Sequence, residues 1–172
     1  MAKILGVDFA PLNIPMERRL QTLMVIYYTS TFTLLPVACV LLLLYTLTTS
    51  LYWLALGYMA WIVYDVGIKE TSSRGGRPIE WLRKHKVWHH FRDYFPVQLH
   101  KTEELDPERN YIMGYHPHGI IGCGALCNFA SDATGFSEKF PGIKPYPMTL
   151  KSNFYLPLLR GYLLYMGNYL LI

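Results

Sequence analysis

Charged residues are scarce in this sequence. Asp, Glu, Lys and Arg make up 16% of its 172 residues, against about 25% in a typical soluble domain. Between Leu20 and Tyr64 there is no charged residue and no histidine. Helices on the surface of a soluble protein normally have a polar face, so this run indicates contact with lipid. A buried helical pair in a soluble core is the alternative.

Basic stripes and disulfide patterns are also missing. The net charge is only +4, and no basic stripe with interleaved aromatic residues occurs, so we expect no nucleic-acid partner. The three cysteines, Cys39, Cys123 and Cys127, are an odd number, and Cys39 lies inside the apolar run. This usage predicts reduced thiols facing the cytosol rather than a disulfide framework.

The uncharged run is long enough for two membrane helices, since one helix needs about 20 apolar residues. A break near Thr46–Ser50 divides it into predicted helices at Gln21–Leu44 and Leu51–Ile68, and Pro36 can kink the first. A cleaved signal peptide fits poorly, because its apolar core is about 7–15 residues long and lies near the start of the chain.

Cations flank the run on both sides: Arg18, Arg19, Lys69, Arg74 and Arg77. The turn between the two predicted helices has no charge. By the positive-inside rule both ends of the hairpin, and therefore both termini, are expected in the cytosol.

Apolar residues recur near helical spacing in the segment that follows a Gly- and Pro-containing linker at Ser72–Pro78. The segment 79–94 is predicted to be an amphipathic helix that lies on the membrane and ends before Pro96. A helix packed into the core of a soluble domain is an equally good interpretation.

Three potential metal ligands, His85, His89 and Asp93, share one face of that predicted helix. Such residues can bind zinc. No further cysteine or carboxylate completes a cage, and neighbouring Lys and Arg residues oppose a cation. We therefore expect no metal.

An α/β pattern is predicted for the remainder. Tyr111–Tyr115 is rich in β-favouring residues and predicts a strand, a helix is expected from Gly119, and another strand and helix follow. The predicted fold is thus a membrane-anchored α/β protein. Its segments are a cytosolic amino-terminal segment (1–19), a transmembrane hairpin (20–68), a linker with an interfacial helix (69–100) and a partial α/β domain (101–172).

Two histidines, His116 and His118, stand between the predicted strand and the predicted helix. Ligands of open α/β sheets bind beyond the carboxyl ends of strands, and a helix start can hold an oxyanion. Pro117 stiffens the turn, and Gly119 lets a substrate approach the backbone. Imidazole can act as a base near neutral pH. From the residues alone, a catalytic base with a helper, a metal pair and a structural turn all remain open.

Longer stretches carry a family resemblance: "GVDFAPLNIPMERRLQTL", "RGGRPIEWLR", "RDYFPVQLHKTEELDPERNYIMGYHPHG" and "TGFSEKFPGIKP". The chain resembles the membrane-bound diacylglycerol acyltransferase 2 family, which includes monoacylglycerol and wax-alcohol acyltransferases. The resemblance implies an enzyme of the endoplasmic reticulum membrane, with association with lipid droplets also open. Its reaction is transfer of a fatty acyl group from acyl-CoA, a substrate, to the hydroxyl of a mono- or diacylglycerol in triacylglycerol synthesis. No bound cofactor is implied.

The resemblance also implies residue roles. The family's His-Pro-His-Gly turn is intact, and plant members keep only its second histidine, so His118 is implied as the general base and His116 as its support. The family's Tyr-Phe-Pro motif stands here as Tyr94, Phe95 and Pro96. The motif is implicated in activity, and a helix stop with aromatic packing explains it equally well.

Two departures from the family matter. Related glycerol-phosphate acyltransferases place an Asp five positions after the histidine, where this chain has Cys123. A later glycine- and basic-rich block, expected to help hold acyl-CoA, has no counterpart. We therefore expect this chain alone to be poorly active or inactive. Two alternatives remain: a non-catalytic truncated isoform that associates with a full-length enzyme, and a wax-alcohol acyltransferase. The sequence does not determine the acceptor, the acyl-chain preference or whether the chain forms a homo-oligomer.

Overall fold

The computed structural model describes residues 2–4, 7–9, 13–116 and 119–171. Most of the regular structure is helical. The helices are α1 (Met16–Phe32), α2 (Leu34–Leu47), α3 (Tyr52–Gly67), α4 (Glu80–Arg83), α5 (Val87–Tyr94), α6 (Cys123–Ala125), α7 (Phe136–Lys139) and α8 (Leu159–Tyr165). A π-helical turn (Leu126–Ala130) continues α6, and a 3₁₀ turn (Lys151–Tyr155) precedes α8.

The strands described are three residues long. β1 (Ala2–Ile4) pairs antiparallel with β2 (Val7–Phe9), with Lys3 opposite Asp8. β3 (Met148–Leu150) pairs in parallel with β4 (Tyr169–Leu171), with Thr149 opposite Leu170. The strand and helix predicted late in the chain correspond to β3 and α8.

A sharp bend divides the first predicted membrane helix. α1 and α2 meet at Thr33 at an angle of 51°. Pro36 explains the position, because a proline ring clashes with the carbonyl four residues earlier, which belongs to Phe32. The helix predicted over Gln21–Leu44 is therefore divided into α1 and α2, and the kink expected from Pro36 is present.

A threonine-rich turn joins α2 to α3, close to the predicted break. The Thr48 hydroxyl donates to the Tyr45 carbonyl and the Thr49 hydroxyl to the Thr46 carbonyl, each at 2.8 Å, so free carbonyls at the end of α2 are satisfied. Within the described ranges, every single helix falls short of the length and apolarity needed to cross a bilayer. By these criteria the bent pair α1–α2 qualifies as a unit.

One face of α1 lies in the protein core. Its buried residues, Gln21, Met24, Tyr28 and Thr31, recur at helical spacing. The Tyr28 ring contacts the Phe91 ring of α5 edge-on, with 5.0 Å between centroids. The opposite face exposes apolar side chains such as Ile26. α1 thus differs from the predicted first membrane helix, because protein rather than lipid covers half of it.

The predicted amphipathic helix over 79–94 is broken into α4 and α5. The Trp88 indole donates to the Leu82 carbonyl at 2.7 Å, and the His85 Nδ1 accepts from the Val87 N–H at 3.2 Å. These bonds use backbone groups that a continuous helix would pair. Trp88 and Phe91 are buried at 2% and 1% exposure, so α5 packs into the core, as in the second of the two interpretations.

The strand predicted at Tyr111–Tyr115 is absent from the described structure, where this segment joins no ladder. A strand needs a neighbour to pair its backbone groups, and none of the described strands lies beside it. The predicted helix begins at Cys123 rather than at Gly119. Gly119 and Gly122 have φ of +67° and +60°, values that a right-handed helix excludes. The predicted α/β sheet is therefore not formed by the residues described.

Candidate active site: the histidine turn

The histidine turn is described at His116 and Gly119, whereas Pro117 and His118 lie outside the described residues. His116 is exposed. Its ring lies beside Gly114, where an added Cβ would be 3.6 Å from the imidazole Cδ2. At Gly119 the positive φ suits glycine, and no described atom lies within 4 Å of the place that a Cβ would take. The approach of a substrate to this backbone remains a prediction.

Tyr115 fixes the start of the turn. Its phenol lies directly against Gly124, so that a Cβ there would be 2.0 Å from the Tyr115 Oη. The Tyr115 ring also contacts Phe129 edge-on at 5.9 Å. A side chain at position 124 would require the Tyr115 phenol, on the residue that immediately precedes His116, to move.

Tyr28 fixes the end of the turn. Its hydroxyl donates a 2.8 Å hydrogen bond to the carbonyl of Ile121, 93 residues away. Tyr28 is 5% exposed and belongs to α1. The turn is therefore held on one side by the segment after it and on the other by an apolar helix. Sequence reasoning missed Tyr28, because one tyrosine inside an uncharged run has no distinguishing neighbour.

The thiols near the turn are protonated at neutral pH. Burial, with the Cys123 thiol nearby, raises the pKa of Cys127 to about 12. Burial also raises the pKa of Cys123. Cys123 stands five positions after His118, and as a neutral thiol it cannot serve as an anionic partner of a histidine.

The Tyr-Phe-Pro motif ends α5. Tyr94 is the last residue of the helix, and the Phe95 ring contacts the rings of Phe91 and Tyr94 at 5.3 and 4.9 Å. Pro96 lines an open cavity of about 440 Å³ whose described lining contains neither His116 nor Gly119. The packing is that of a helix stop, and an activity role for the motif remains a prediction.

The three residues considered as zinc ligands do not form a site. His85 lies in the break between α4 and α5, with its ring against Trp81 at 4.9 Å. Asp93 is ion-paired with Arg92 at 2.7 Å. Across 13–116 and 119–168, no three His, Cys, Asp or Glu side chains are placed to share a metal ion.

A buried ion-pair cluster was not predicted. Asp65, near the end of α3 and 0% exposed, pairs with Arg77 of the linker and with Arg160 of α8, and it accepts a 2.7 Å hydrogen bond from the Thr71 hydroxyl. The sequence does show a single carboxylate, Asp65, at the end of the uncharged run. A buried carboxylate needs a cation, but the sequence does not identify which arginine supplies it. The sequence interpretation treated Arg77 only as a flanking charge.

Comparison with known proteins gives the family. The family model "Diacylglycerol acyltransferase" matches residues 42–170. The chain belongs to the diacylglycerol acyltransferase family. Within it, diacylglycerol O-acyltransferase 2 of Bos taurus is 49% identical over 148 residues, which are 86% of this chain and 40% of that protein. The Homo sapiens protein of the same name is also 49% identical over 148 residues, covering 86% of this chain and 37% of the relative.

A fungal relative extends the match. Diacylglycerol O-acyltransferase 2B of Umbelopsis ramanniana is 47% identical over 163 residues, 94% of this chain and 44% of the relative. The chain thus spans less than half the length of the curated relatives that it matches. No solved structure gives a significant match. The predicted family is confirmed. This result rests on sequence similarity and not on the geometry of the histidine turn.

Proposed function

We propose that this chain supplies the histidine turn and the apolar helices of an acyl-CoA-dependent acyltransferase whose acceptor is a mono- or diacylglycerol. The observation that carries the proposal is the intact His-Pro-His-Gly turn, which Tyr115 and Tyr28 hold on its two sides. The names of the relatives support the reaction class. Triacylglycerol is then the product formed from diacylglycerol.

In the proposed reaction, His118 acts as the general base. Its imidazole takes the proton of the acceptor hydroxyl while the oxygen attacks the thioester carbonyl carbon of acyl-CoA. The tetrahedral intermediate collapses as the carbon–sulfur bond breaks, and the departing CoA sulfur receives the proton from the imidazolium. Each turnover yields one ester and one CoA thiol. A placed base of this kind contributes about 10²–10⁴-fold to the rate.

His116 supports the base, and the glycines give access. We assign His116, whose exposed ring lies beside Gly114, to orienting a substrate or His118. Backbone N–H groups of the glycine-rich segment after the turn are suitable donors for the oxyanion of the intermediate. Because Cys123 stays protonated, any acidic partner of His118 comes from another part of the enzyme.

The test is substitution of the histidines. His118→Ala is expected to lower acyl transfer by about 10²–10⁴-fold at the matching position of a full-length relative, with membrane targeting unchanged. His116→Ala should cost less, and His89→Ala, which changes an exposed histidine of α5, should cost nothing. Activity above one tenth of wild type in His118→Ala would remove His118 from the base role.

The chain as it stands needs its own assay. We expect little or no acyl transfer by the 172-residue chain when it is expressed in cells without neutral-lipid synthesis. Measurable triacylglycerol or wax ester formation would contradict this expectation and would identify the acceptor. Absence of activity together with co-purification with a full-length relative would favour the non-catalytic alternative.

We further propose that residues 20–68 form a hairpin in the endoplasmic reticulum membrane, with residues 1–19, 69–100 and 101–172 on the cytosolic side. In this arrangement α1 lies at the cytosolic surface of the membrane, where its exposed apolar face meets lipid and its buried face packs on α5. The uncharged run, the exposed leucines and tryptophans of α2 and α3, and the cations on both flanks support this placement. In a variant whose three natural cysteines are replaced by serine, cysteines introduced at the exposed residues 13 and 73 should both react with an impermeant maleimide added to sealed microsomes. Protection of either residue would contradict the shared cytosolic location.

A further inference from the structure

The cluster around Asp65 contains one more positive charge than negative. Asp65 pairs with both Arg77 and Arg160, and Thr71 is neutral. Arg160 is 1% exposed, whereas the Arg77 side chain is 38% exposed. The cluster therefore has a net positive charge that is shared by one buried arginine and one partly exposed arginine.

Arg160 leaves hydrogen-bonding capacity unused. Its Nη2 donates to Asp65, but Nε and Nη1 are buried and have no hydrogen-bond partner in the part of the chain that the structure describes. Buried N–H groups of a charged side chain are rarely left unpaired, and an ion or ligand is one reason for an exception.

Trp61 covers both guanidinium groups. Its ring centroid lies 5.4 Å from the Cζ of Arg160 and 5.7 Å from the Cζ of Arg77. The Trp61 side chain is itself 40% exposed, so its ring links the buried cluster to the surface of the protein. Cation–π contact compensates part of the charge, but it gives the Nε and Nη1 hydrogens no oxygen acceptor.

We propose that Arg77 and Arg160, beneath Trp61, form a binding site for a phosphate group. A guanidinium presents a planar fork of donors that matches phosphate oxygens, and its charge strengthens each bond. Entry requires the Trp61 ring to swing outward, which its exposure permits. The phosphate belongs either to a lipid headgroup, since α3 ends where we place the cytosolic membrane surface, or to a soluble phosphate compound.

The experiment measures binding without any acyl transfer, so it succeeds or fails independently of the proposed activity. The whole chain is purified in maltoside micelles, which contain no phosphate, and the Arg160 Nε–H signal is followed by ¹⁵N NMR. Inorganic phosphate is titrated in one arm. In the other, micelles receive either phosphatidic acid or diacylglycerol, which lacks the phosphate.

A saturable shift of the Arg160 signal supports the site. Arg77→Gln should weaken binding about tenfold or more, because a hydrogen bond from a charged donor is lost. Arg74→Gln is the matched control, since the 71% exposed Arg74 pairs with Glu70 outside the cluster. Both variants spare Arg160, which is the fully buried partner of Asp65 and carries the signal that is followed.

Each outcome has a defined meaning. Saturation with phosphatidic acid and not with inorganic phosphate identifies a lipid headgroup, whereas saturation with inorganic phosphate identifies the soluble source. The proposal is overturned if neither phosphate ligand moves the signal, or if diacylglycerol moves it as phosphatidic acid does. Equal weakening by Arg77→Gln and Arg74→Gln would also overturn it, because the attraction would then be a general effect of charge.

Discussion

Substitution of Asp65 by Asn tests whether the buried cluster holds α3 to α8. Asn is nearly isosteric, so the change removes charge while packing is kept. Arg160 would then retain its charge at 1% exposure without the carboxylate that now pairs with it. Burial of an unpaired charge is among the most destabilising consequences of a single substitution.

The magnitude follows from the two arms of the cluster. Breaking a buried ion pair by removing one partner costs about 3–5 kcal/mol. Loss of the pair with Arg77 adds little to the cost, because the Arg77 side chain is 38% exposed and water can solvate its charge. The Asn side chain can still accept the hydrogen bond from Thr71. We therefore take the lower end of the range, about 3 kcal/mol of unfolding free energy.

Thermal unfolding in maltoside micelles, followed by circular dichroism, measures this loss. For a chain of this length about 3 kcal/mol corresponds to a decrease in Tm of roughly 6–12 °C. Glu70→Gln is the control, because its pair with Arg74 is 3.7 Å long and both side chains are more than half exposed. A Tm for Asp65→Asn within about 2 °C of the control, well under the roughly 6 °C minimum, would refute the assigned role of the cluster.

Two further predictions concern the supports of the histidine turn. Gly124→Ala should lower the unfolding free energy by about 1–3 kcal/mol, because its Cβ would lie 2.0 Å from the Tyr115 Oη; Gly57→Ala, with no neighbour within 4 Å, is the control, and equal Tm values would contradict the contact. Tyr28→Phe should lower it by about 1 kcal/mol and speed hydrogen exchange of the backbone N–H groups beside Ile121. Unchanged exchange there would mean that the Tyr28 bond does not hold the turn.

Hydropathy predicted where the apolar helices lie, because burial in lipid or protein requires the same long apolar runs. It did not predict which face of α1 enters the core. Met24 and Tyr28 are buried while Leu23 and Ile26 on the same helix are exposed, and all four are apolar or aromatic. Where both sides of a helix are apolar, the sequence pattern has no contrast from which to identify the protein-facing side.

Local propensity gave wrong secondary structure at two segments whose conformation depends on distant residues or on side-chain hydrogen bonds. Periodicity predicted one helix over 79–94, but the bond from the Trp88 indole to the Leu82 carbonyl interrupts it. β-Propensity predicted a strand at Tyr111–Tyr115, and a strand forms only beside a partner that supplies its hydrogen bonds. Ile112 is 103% exposed, which is incompatible with a place inside a covered sheet of the described residues.

The candidate site was predictable as a motif and not as a structure. The histidines are found by their neighbours in sequence, whereas their supports come from distant positions. Tyr28 reaches the Ile121 carbonyl across 93 residues, and Arg160 reaches Asp65 across 95. A single sequence does not show which tyrosine or arginine contacts a distant residue, because such contacts form only in the folded chain.

These two long-range contacts constrain where the reaction takes place. Tyr28 connects α1 to the residues after the histidine turn, and Asp65 connects the end of α3 to α8. The turn and the apolar helices therefore cannot be positioned independently. If the helices insert as we propose, the turn is held at the membrane surface, where an acceptor dissolved in lipid and a water-soluble acyl-CoA can meet. The proposed reaction would join substrates from two phases and so would benefit from a fixed depth of the turn, which the Tyr28 hydrogen bond to Ile121 supplies.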